Sequence, residues 1–347
     1  MITKSRDELY DLVERILSAA GADADNAAIT AEHLVRANLS GVDTHGVFHV
    51  SGYVEAIKKG ELAPAAKPDI LKQKGSSILI TGNWTFGQVA AQFATGQAIE
   101  LAREHGISVA AIVQTHHIGR LGHYSEIAGE ADMISMVWAG GFGEVQPAAT
   151  PYGGRGRWLH TNPISMGFPA GEESTTMFDF ATTAISGVKV VNARKRGEPV
   201  ASGCIVDRDG NPTTNAEDFF DGGGHVPFGG HKGYAIMMAA EFLGRIFSGS
   251  DAYVEPNRAG PILRHQGVSI FVMRADLFQD LSDYQHLADE LQQRTRTIPP
   301  AAGFDEVLVP GDPELRTREI RQRDGIPIED DVWNDIKKAA ESVAVEV

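Results

Sequence analysis

Apolar positions recur at helical spacing near both ends of the chain and at strand spacing between them. Ser5 and Glu8 stand three apart, the separation at which the two side chains cap a first helical turn reciprocally. Leu9, Leu12, Val13, Ile16 and Leu17 then share one helical face, and Gly21 can close the helix. A second helix is predicted from about Asn26 to Leu39, with Ile29, Leu34 and Val35 inward and Gly41 at its end. A third carries Val47, Val50, Val54 and Ile57 and stops at Gly60. From about Pro64 the texture changes. Extended apolar runs at 77–80, 107–114, 134–138, 177–180 and 268–273 alternate with helical stretches at 88–105, 124–131, 232–247 and 284–297. After Pro327 and Glu329 the chain turns helical again, with Val332, Ile336, Ala339 and Val343 on one face.

This order predicts an α+β (mixed α/β) protein in which both chain ends form one helical unit beside a central sheet unit. The expected boundaries are 1–75 and 299–347 for the helical domain and 76–298 for the sheet domain. The glycines at 153–156 and 222–224 mark the most flexible-looking points. At 347 residues the chain has room for two domains of roughly 100–200 residues each. Its 42% hydrophobic and 22% charged residues suit a globular protein with a core.

A net charge of −15 argues against nucleic acid as a partner, since phosphate binding needs clustered lysine and arginine. The single cysteine, Cys204, rules out an internal disulfide and fits a reducing compartment. The amphipathic start has no apolar signal core, and no run of about 18 apolar residues occurs. A cytoplasmic protein with no membrane partner is expected.

Candidate chemistry gathers in two histidine-bearing segments, Asp43-Thr44-His45-Gly46-Val47 and Thr115-His116-His117-Ile118-Gly119-Arg120-Leu121-Gly122-His123-Tyr124. Histidine titrates near neutral pH and so suits proton transfer. Asp43, two residues from His45, is expected to raise its pKa by favouring the imidazolium; equally, Asp43 or Thr44 serves as a helix cap. His116 and His117 follow an apolar strand, where α/β proteins often place active groups. Read as metal ligands, His116, His117 and His123 lack a cysteine and have only Glu126 as a local carboxylate, a weak zinc signature. No metal is expected.

Three further segments suggest ligand contacts. Thr161-Asn162-Pro163 is a turn that can present backbone and amide groups to a ligand. Asp179, followed by Phe180, Ala181 and Thr182, ends a strand; its carboxylate can receive ribose hydroxyls or cap the next segment. Gly229-Gly230-His231-Lys232-Gly233 opens a helix, and a lysine beside free N–H groups there suits a phosphate. No G-x-G-x-x-G follows a strand, and no G-x-x-x-x-G-K-[ST] occurs, so any nucleotide binds without the usual glycine-rich turn.

Taken in order, DTHGV, THHIG, TNPISMGFP, DFATT, ARKRGEP, PFGGHKGY and VPGDPE run from Asp43 to Glu314. Together they resemble the type-2 malate/L-lactate dehydrogenase family of NAD(P)-dependent oxidoreductases, relatives of ureidoglycolate dehydrogenase and 2,3-diketo-L-gulonate reductase. The resemblance implies a non-Rossmann, largely antiparallel sheet domain that binds the nicotinamide cofactor, NAD or NADP. It also implies a homodimer and a small carboxylate substrate, a 2-oxo/2-hydroxy acid or related sugar acid. It assigns His45 and His117 as catalytic, with His45 leaning to proton donor and His117 orienting the substrate oxygen. It places Asp179 to Thr182, His231, Lys232, Pro310, Gly311 and Asp312 at the cofactor.

Departures from the family pattern fall at His49, which stands where an arginine is frequent, at His116 in place of asparagine, and at Arg120. The stretch 140–146 is longer than usual for the family. Substrate contacts are therefore expected from His49, His116, Arg120, Thr161 and Asn162, with Arg120 taking over carboxylate recognition. Two other activities fit parts of the pattern: reduction of a cyclic imino acid, and a metal-dependent hydrolase or lyase built on His116, His117 and His123.

Overall fold

The computed structural model describes residues 1–141 and 147–347; most of the 140–146 stretch lies outside the described residues. The chain opens with β1 (Ile2–Lys4), α1 (Arg6–Ala19), α2 (Ala24–Leu39) and α3 (Val50–Lys58). Ser5 accepts from the Glu8 backbone while Glu8 accepts from Ser5, so the predicted reciprocal cap is formed. Asp23 caps α2. The third helix starts later than its periodicity suggests, because 3-10 turns at Asp43–His45 and Val47–His49 precede it.

The middle of the chain supplies β2 (Asp69–Lys74), β3 (Ser77–Thr81), α4 (Gly87–His105), β4 (Ile107–Val113), α5 (Gly122–Glu130) and β5 (Met133–Gly140). It continues with β6 (Ile164–Phe168), β7 (Thr176–Phe180), α6 (Gly187–Arg196), β8 (Ile205–Val206), β9 (Pro212–Thr213), α7 (Ala216–Phe220) and β10 (Gly224–His225). Then follow α8 (His231–Ala240), α9 (Gly260–Leu263), β11 (Gly267–Arg274), α10 (Leu281–Arg296), α11 (Asp312–Asp324), β12 (Ile326–Ile328) and α12 (Asp330–Glu341).

Seven strands form one sheet in the order β2-β3-β4-β11-β5-β6-β7. Only β3 and β4 run parallel; every other neighbouring pair is antiparallel. Alternation along β11 shows how the sheet is covered. Val268, Ile270 and Val272 join a core with Ala90, Ala94 and Ala98 of α4. On the opposite face, Ser269 donates to the Leu243 carbonyl and Phe271 stacks on Phe247. That second face is covered by α8 and its continuation Glu241–Ile246, a π-helical turn. The two surfaces meet glycine to glycine, since a Cβ on Gly244 would lie 2.2 Å from the Gly140 nitrogen.

The chain ends pack together. β1 pairs with β12, and one apolar core combines Leu9, Ile16, Leu34 and Tyr53 with Ile326, Ile336 and Ala340. A small lobe of α6, α7 and the β10-β8-β9 sheet has its own core around Val190, Ile205 and Phe219.

Two readings need correction. The segment after Asn162-Pro163 is not only a turn but leads into β6, a buried strand between β5 and β7. Gly223 and Gly224 are not loose, since a Cβ on Gly223 would stand 2.1 Å from the Val206 carbonyl oxygen. Among the described residues, no helix is long and apolar enough to cross a membrane.

Candidate active site

The junction between α2 and α3 is tied down by Asn38. Its amide nitrogen donates to Asp43 at 2.6 Å, and its oxygen accepts from the Val47 backbone at 2.8 Å. A Cβ on Gly46 would fall 2.1 Å from that same oxygen, so the D-T-H-G glycine is required by close approach. Asp43 is also held by Arg321 of α11. Its carboxylate is therefore taken up by Asn38 and Arg321, and the expectation that it raises the His45 pKa fails. Burial, followed by the positive Arg120, instead pushes His45 down to about 4.

The second segment leaves the end of β4 and lays its backbone on α4. A Cβ on Gly87 would meet the His116 and His117 carbonyl oxygens at 2.3 Å. The two segments converge. The His117 ring lies 4.4 Å from His49 and 5.8 Å from His45, centroid to centroid, and His45 and His49 are 6.3 Å apart. His116 stands edge-on to Tyr53 at 5.8 Å. Burial also lowers His49 and His116 to about 4 and holds His117 well below its ordinary value. The cluster is thus four neutral imidazoles at neutral pH.

Hydrogen bonds choose their tautomers. The Tyr53 hydroxyl lies 2.8 Å from His117 Nδ1 and accepts from the Gln88 amide at 2.6 Å. With that donor on its oxygen, the hydroxyl proton goes to His117 Nδ1, which leaves the imidazole proton on Nε2. His49 Nε2 lies 2.9 Å from the Thr44 carbonyl, which can only accept, so His49 keeps an Nδ1 lone pair. His45 Nδ1 rests 3.1 Å from the Thr44 hydroxyl. Tyr53 and Gln88 escaped the sequence reading. One signal was available: Tyr53 falls four residues after His49, on the same helical face.

Arg120 lies beside the cluster but not in it. Its side chain is 1% exposed, with Nη1 on Glu126 at 3.0 Å and Ser40 at 3.2 Å, and Nη2 3.8 Å from the Met177 sulfur. Its Nε is 3.7 Å from Asp179. Its Nη1 is thus engaged by protein groups, whereas Nε has no hydrogen-bond partner among the described residues, so the buried guanidinium braces Glu126 and Asp179 and keeps one donor unused. Burial alone would raise Glu126, yet Arg120, Arg318 and Arg36 hold it at about 2. Burial pushes Asp179 up to about 6, against the pull of Arg120 and of the Gly122 N–H that donates to it at 2.7 Å.

Several of the remaining candidate segments bond to one another around Thr182. Thr182 donates through its backbone and hydroxyl to the Thr161 carbonyl, and its own carbonyl accepts from Phe228. Asn162, 1% exposed, donates to the Met237 carbonyl and to Glu241, both at 3.1 Å. Among the described residues nothing donates to its buried Oδ1. Phe180 is 41% exposed and Ala181 half-buried. His231 and Lys232 lie exposed at the start of α8. The Pro310 carbonyl accepts from Met177, and Gly311, at φ +105°, sits 3.5 Å from the Thr175 carbonyl by its would-be Cβ. The Asp312 carboxylate is held by Arg296 and the Val309 N–H, so it braces this loop rather than presenting a free acceptor.

Beside Met177 and Gly311 opens a groove of about 370 Å³. His123 packs edge-on to His33 at 4.7 Å. Among the described residues no group of three His, Cys, Asp or Glu side chains is arranged to hold a metal.

Comparison with known proteins gives a consistent set of matches. The family profile for malate/L-lactate dehydrogenase matches residues 5–337. L-sulfolactate dehydrogenase of Methanocaldococcus jannaschii is 31% identical over 348 residues, covering 100% of this chain and 98% of that protein. L-lactate dehydrogenase of Cupriavidus necator is 32% identical over 341 residues, covering 97% of this chain and 96% of its own. The solved structure of a putative malate/lactate dehydrogenase from E. coli superposes with a TM-score of 0.90 at 29% identity, covering 100% of this chain and 96% of that one.

Proposed function

The chain belongs to the malate/L-lactate dehydrogenase family, and on that premise we infer that it is a nicotinamide-dependent oxidoreductase acting on a 2-oxo or 2-hydroxy acid. The observation that carries the reading is the convergence of His45 and His117 from two distant segments, with Arg120 linking His45 to Asp179. The residues present fit a dinucleotide. The glycines Gly229, Gly230 and Gly311 allow close backbone approach, Lys232 is an exposed cation two residues after Gly230, and Asn162 offers an unused acceptor. When bound, the nicotinamide supplies or accepts the hydride.

The chain's own residues do the rest. His117, with its proton on Nε2, donates a hydrogen bond to the substrate oxygen and fixes the carbonyl. His45 transfers the proton: as the neutral base it takes the hydroxyl proton during oxidation, and as imidazolium it returns one during reduction. His49 and His116 close the pocket around the substrate's acidic group.

We propose NAD over NADP. The groove beside Gly311 is lined by Glu126, Glu130, Asp132, Glu173 and Glu314, five carboxylates against Arg36 and Arg318. Both arginines are already paired with Glu126. A ribose diol suits such a lining, whereas a 2′-phosphate would be repelled. Of the basic residues that could reach a 2′-phosphate, Lys195 pairs with Asp331 of α12 and Arg196 with Glu329 just before it, while Lys232, beside Gly229 and Gly230, suits the pyrophosphate.

The test is a spectrophotometric screen of NADH and NADPH consumption over 2-oxo acids, keto-sugar acids and cyclic imines, with and without chelator. Turnover of a 2-oxo acid with NADH, at least about tenfold better than with NADPH, is expected. Turnover only of cyclic imines, or loss of activity with chelator, would move the assignment to another class.

We also propose a homodimer. Phe242, Ile246 and Phe247, each 50% or more exposed, form an apolar patch on the helix covering the sheet. Light scattering should return twice the mass of one chain; a monomer at micromolar concentration would contradict the proposal.

A further inference from the structure

The buried amide of Asn162 is oriented by chemistry rather than by packing alone. Its nitrogen has two N–H groups, and the structure gives them two partners that can only accept, the Met237 carbonyl and the Glu241 carboxylate. The oxygen is thereby turned the other way, buried, with no donor among the described residues. A buried acceptor left without a partner is costly, and native proteins keep few of them.

Glu241 is itself 97% buried, being only 3% exposed, and Arg245 pairs with its other oxygen. It opens the π-helical turn Glu241–Ile246, a local widening of the helix often found at functional sites. The turn is pressed on the sheet where Gly140 and Gly244 leave no room for a Cβ. That contact fixes how far Glu241 reaches under Asn162. Asn162 in turn holds a left-handed backbone, φ +38°, and its carbonyl accepts from Thr182.

Asn162 also stands where the two halves of the site meet. The Gln266 amide donates to the His116 carbonyl. Gly141 lies against both His160 and Gln266, and Thr182 of the Asp179 segment is bonded to Thr161 and Asn162. An acceptor at this junction suits a ligand that carries an N–H donor. A primary carboxamide meets that description.

We propose that Glu241 is a positioning residue that locks the Asn162 amide so that Oδ1 accepts the N–H of the cofactor's carboxamide. The proposal rests on the nicotinamide reading above. It goes further by assigning Asn162 to the cofactor, where the sequence suggested the substrate, and by giving a role to a glutamate that no motif pointed to.

The test compares NADH with its reduced 3-acetylpyridine analogue, which keeps the carbonyl but carries a methyl in place of the amide nitrogen. Affinities are read by quenching of protein fluorescence. The native protein should prefer NADH by about tenfold, the worth of a neutral hydrogen bond to an acceptor otherwise left unpaired. In Glu241→Gln the new amide can donate to Asn162 Oδ1 and turn the asparagine, so the preference should fall to within about twofold. NADH affinity should drop by a similar factor, with circular dichroism unchanged. Asn162→Ser, which keeps Glu241, should lose the same preference, so the idea stays testable if one variant misfolds.

A purely structural Glu241 would weaken both dinucleotides equally and leave the ratio intact; that result overturns the proposal. Equal binding of both by the native protein overturns it too. Binding of neither by the native protein would instead overturn the cofactor reading itself.

Discussion

His45→Ala should reduce turnover of a 2-oxo acid by about 10²–10⁴-fold, the usual worth of a positioned general acid or base, while NADH binding persists. The argument begins with the imidazole's surroundings. Burial and the nearby Arg120 guanidinium hold His45 at about 4, so the resting group is a neutral base at pH 7. In that form it is ready to take the proton of a hydroxy acid. For reduction it must first be charged.

The two directions should therefore respond differently to pH. kcat/KM reports the free enzyme. For oxidation it should be flat across the neutral range and fall only as pH drops toward about 4, where the base becomes protonated. For reduction it should fall about tenfold for each pH unit from about 5 to 8, tracking the shrinking imidazolium fraction. His45→Ala should remove the slope along with the rate. A native-like slope retained in His45→Ala would move the proton-transfer role to His117. Tyr53→Phe should cost about tenfold, because His117 loses the partner that selects its tautomer; it should leave the slope unchanged.

The second large effect is acid lability. His33, His45, His49, His116, His117, His123 and His225 are all held neutral by burial, five of them at about 4 and His33 and His117 well below normal. In the unfolded chain each titrates near 6.5. A folded pKa below the unfolded one contributes stability that is fully present above about 6.5 and lost as pH falls toward about 4. Each such group can remove about 1.4 kcal/mol per pH unit in that window. Glu126, held at about 2, acts with the same sign at lower pH. Asp179, raised to about 6, acts with the opposite sign: its contribution is present below about 3.9 and lost as pH rises through about 6. One group against seven does not reverse the trend. Thermal unfolding followed by circular dichroism should show Tm falling steeply from pH 7 to pH 4.5; a Tm constant over that range would contradict the burial of the cluster.

Much of the architecture is legible from local pattern. The reciprocal cap of Ser5 and Glu8, the apolar stripe of α1 and the strands β4, β5 and β11 each announce themselves within a few residues. The paired histidine segments are legible for the same reason. What sequence reasoning missed depends on partners far apart in the chain. Tyr53 meets His117 across 64 positions and Gln88 meets Tyr53 across 35. Arg120 looked like a free cation because Glu126, Ser40 and Asp179 reach it only through the fold. Asp43 sits two residues from His45, yet Asn38 and Arg321 take its charge. The π-helical turn was invisible because the apolar pattern from Met237 through Phe247 continues as an ordinary helix would. β6 was hidden by the turn residues that precede it.

The central claim is hydride transfer to carbon 2 of an acid substrate, and isotope transfer tests it most directly. NADH deuterated at the reactive carbon of the nicotinamide is incubated with the best 2-oxo acid found in the screen, and the product is examined by mass spectrometry and NMR. The account predicts one deuterium on carbon 2 of the hydroxy acid, with the hydroxyl hydrogen drawn from solvent. A product whose carbon-2 hydrogen comes from solvent, or one formed equally well without the dinucleotide, would contradict it.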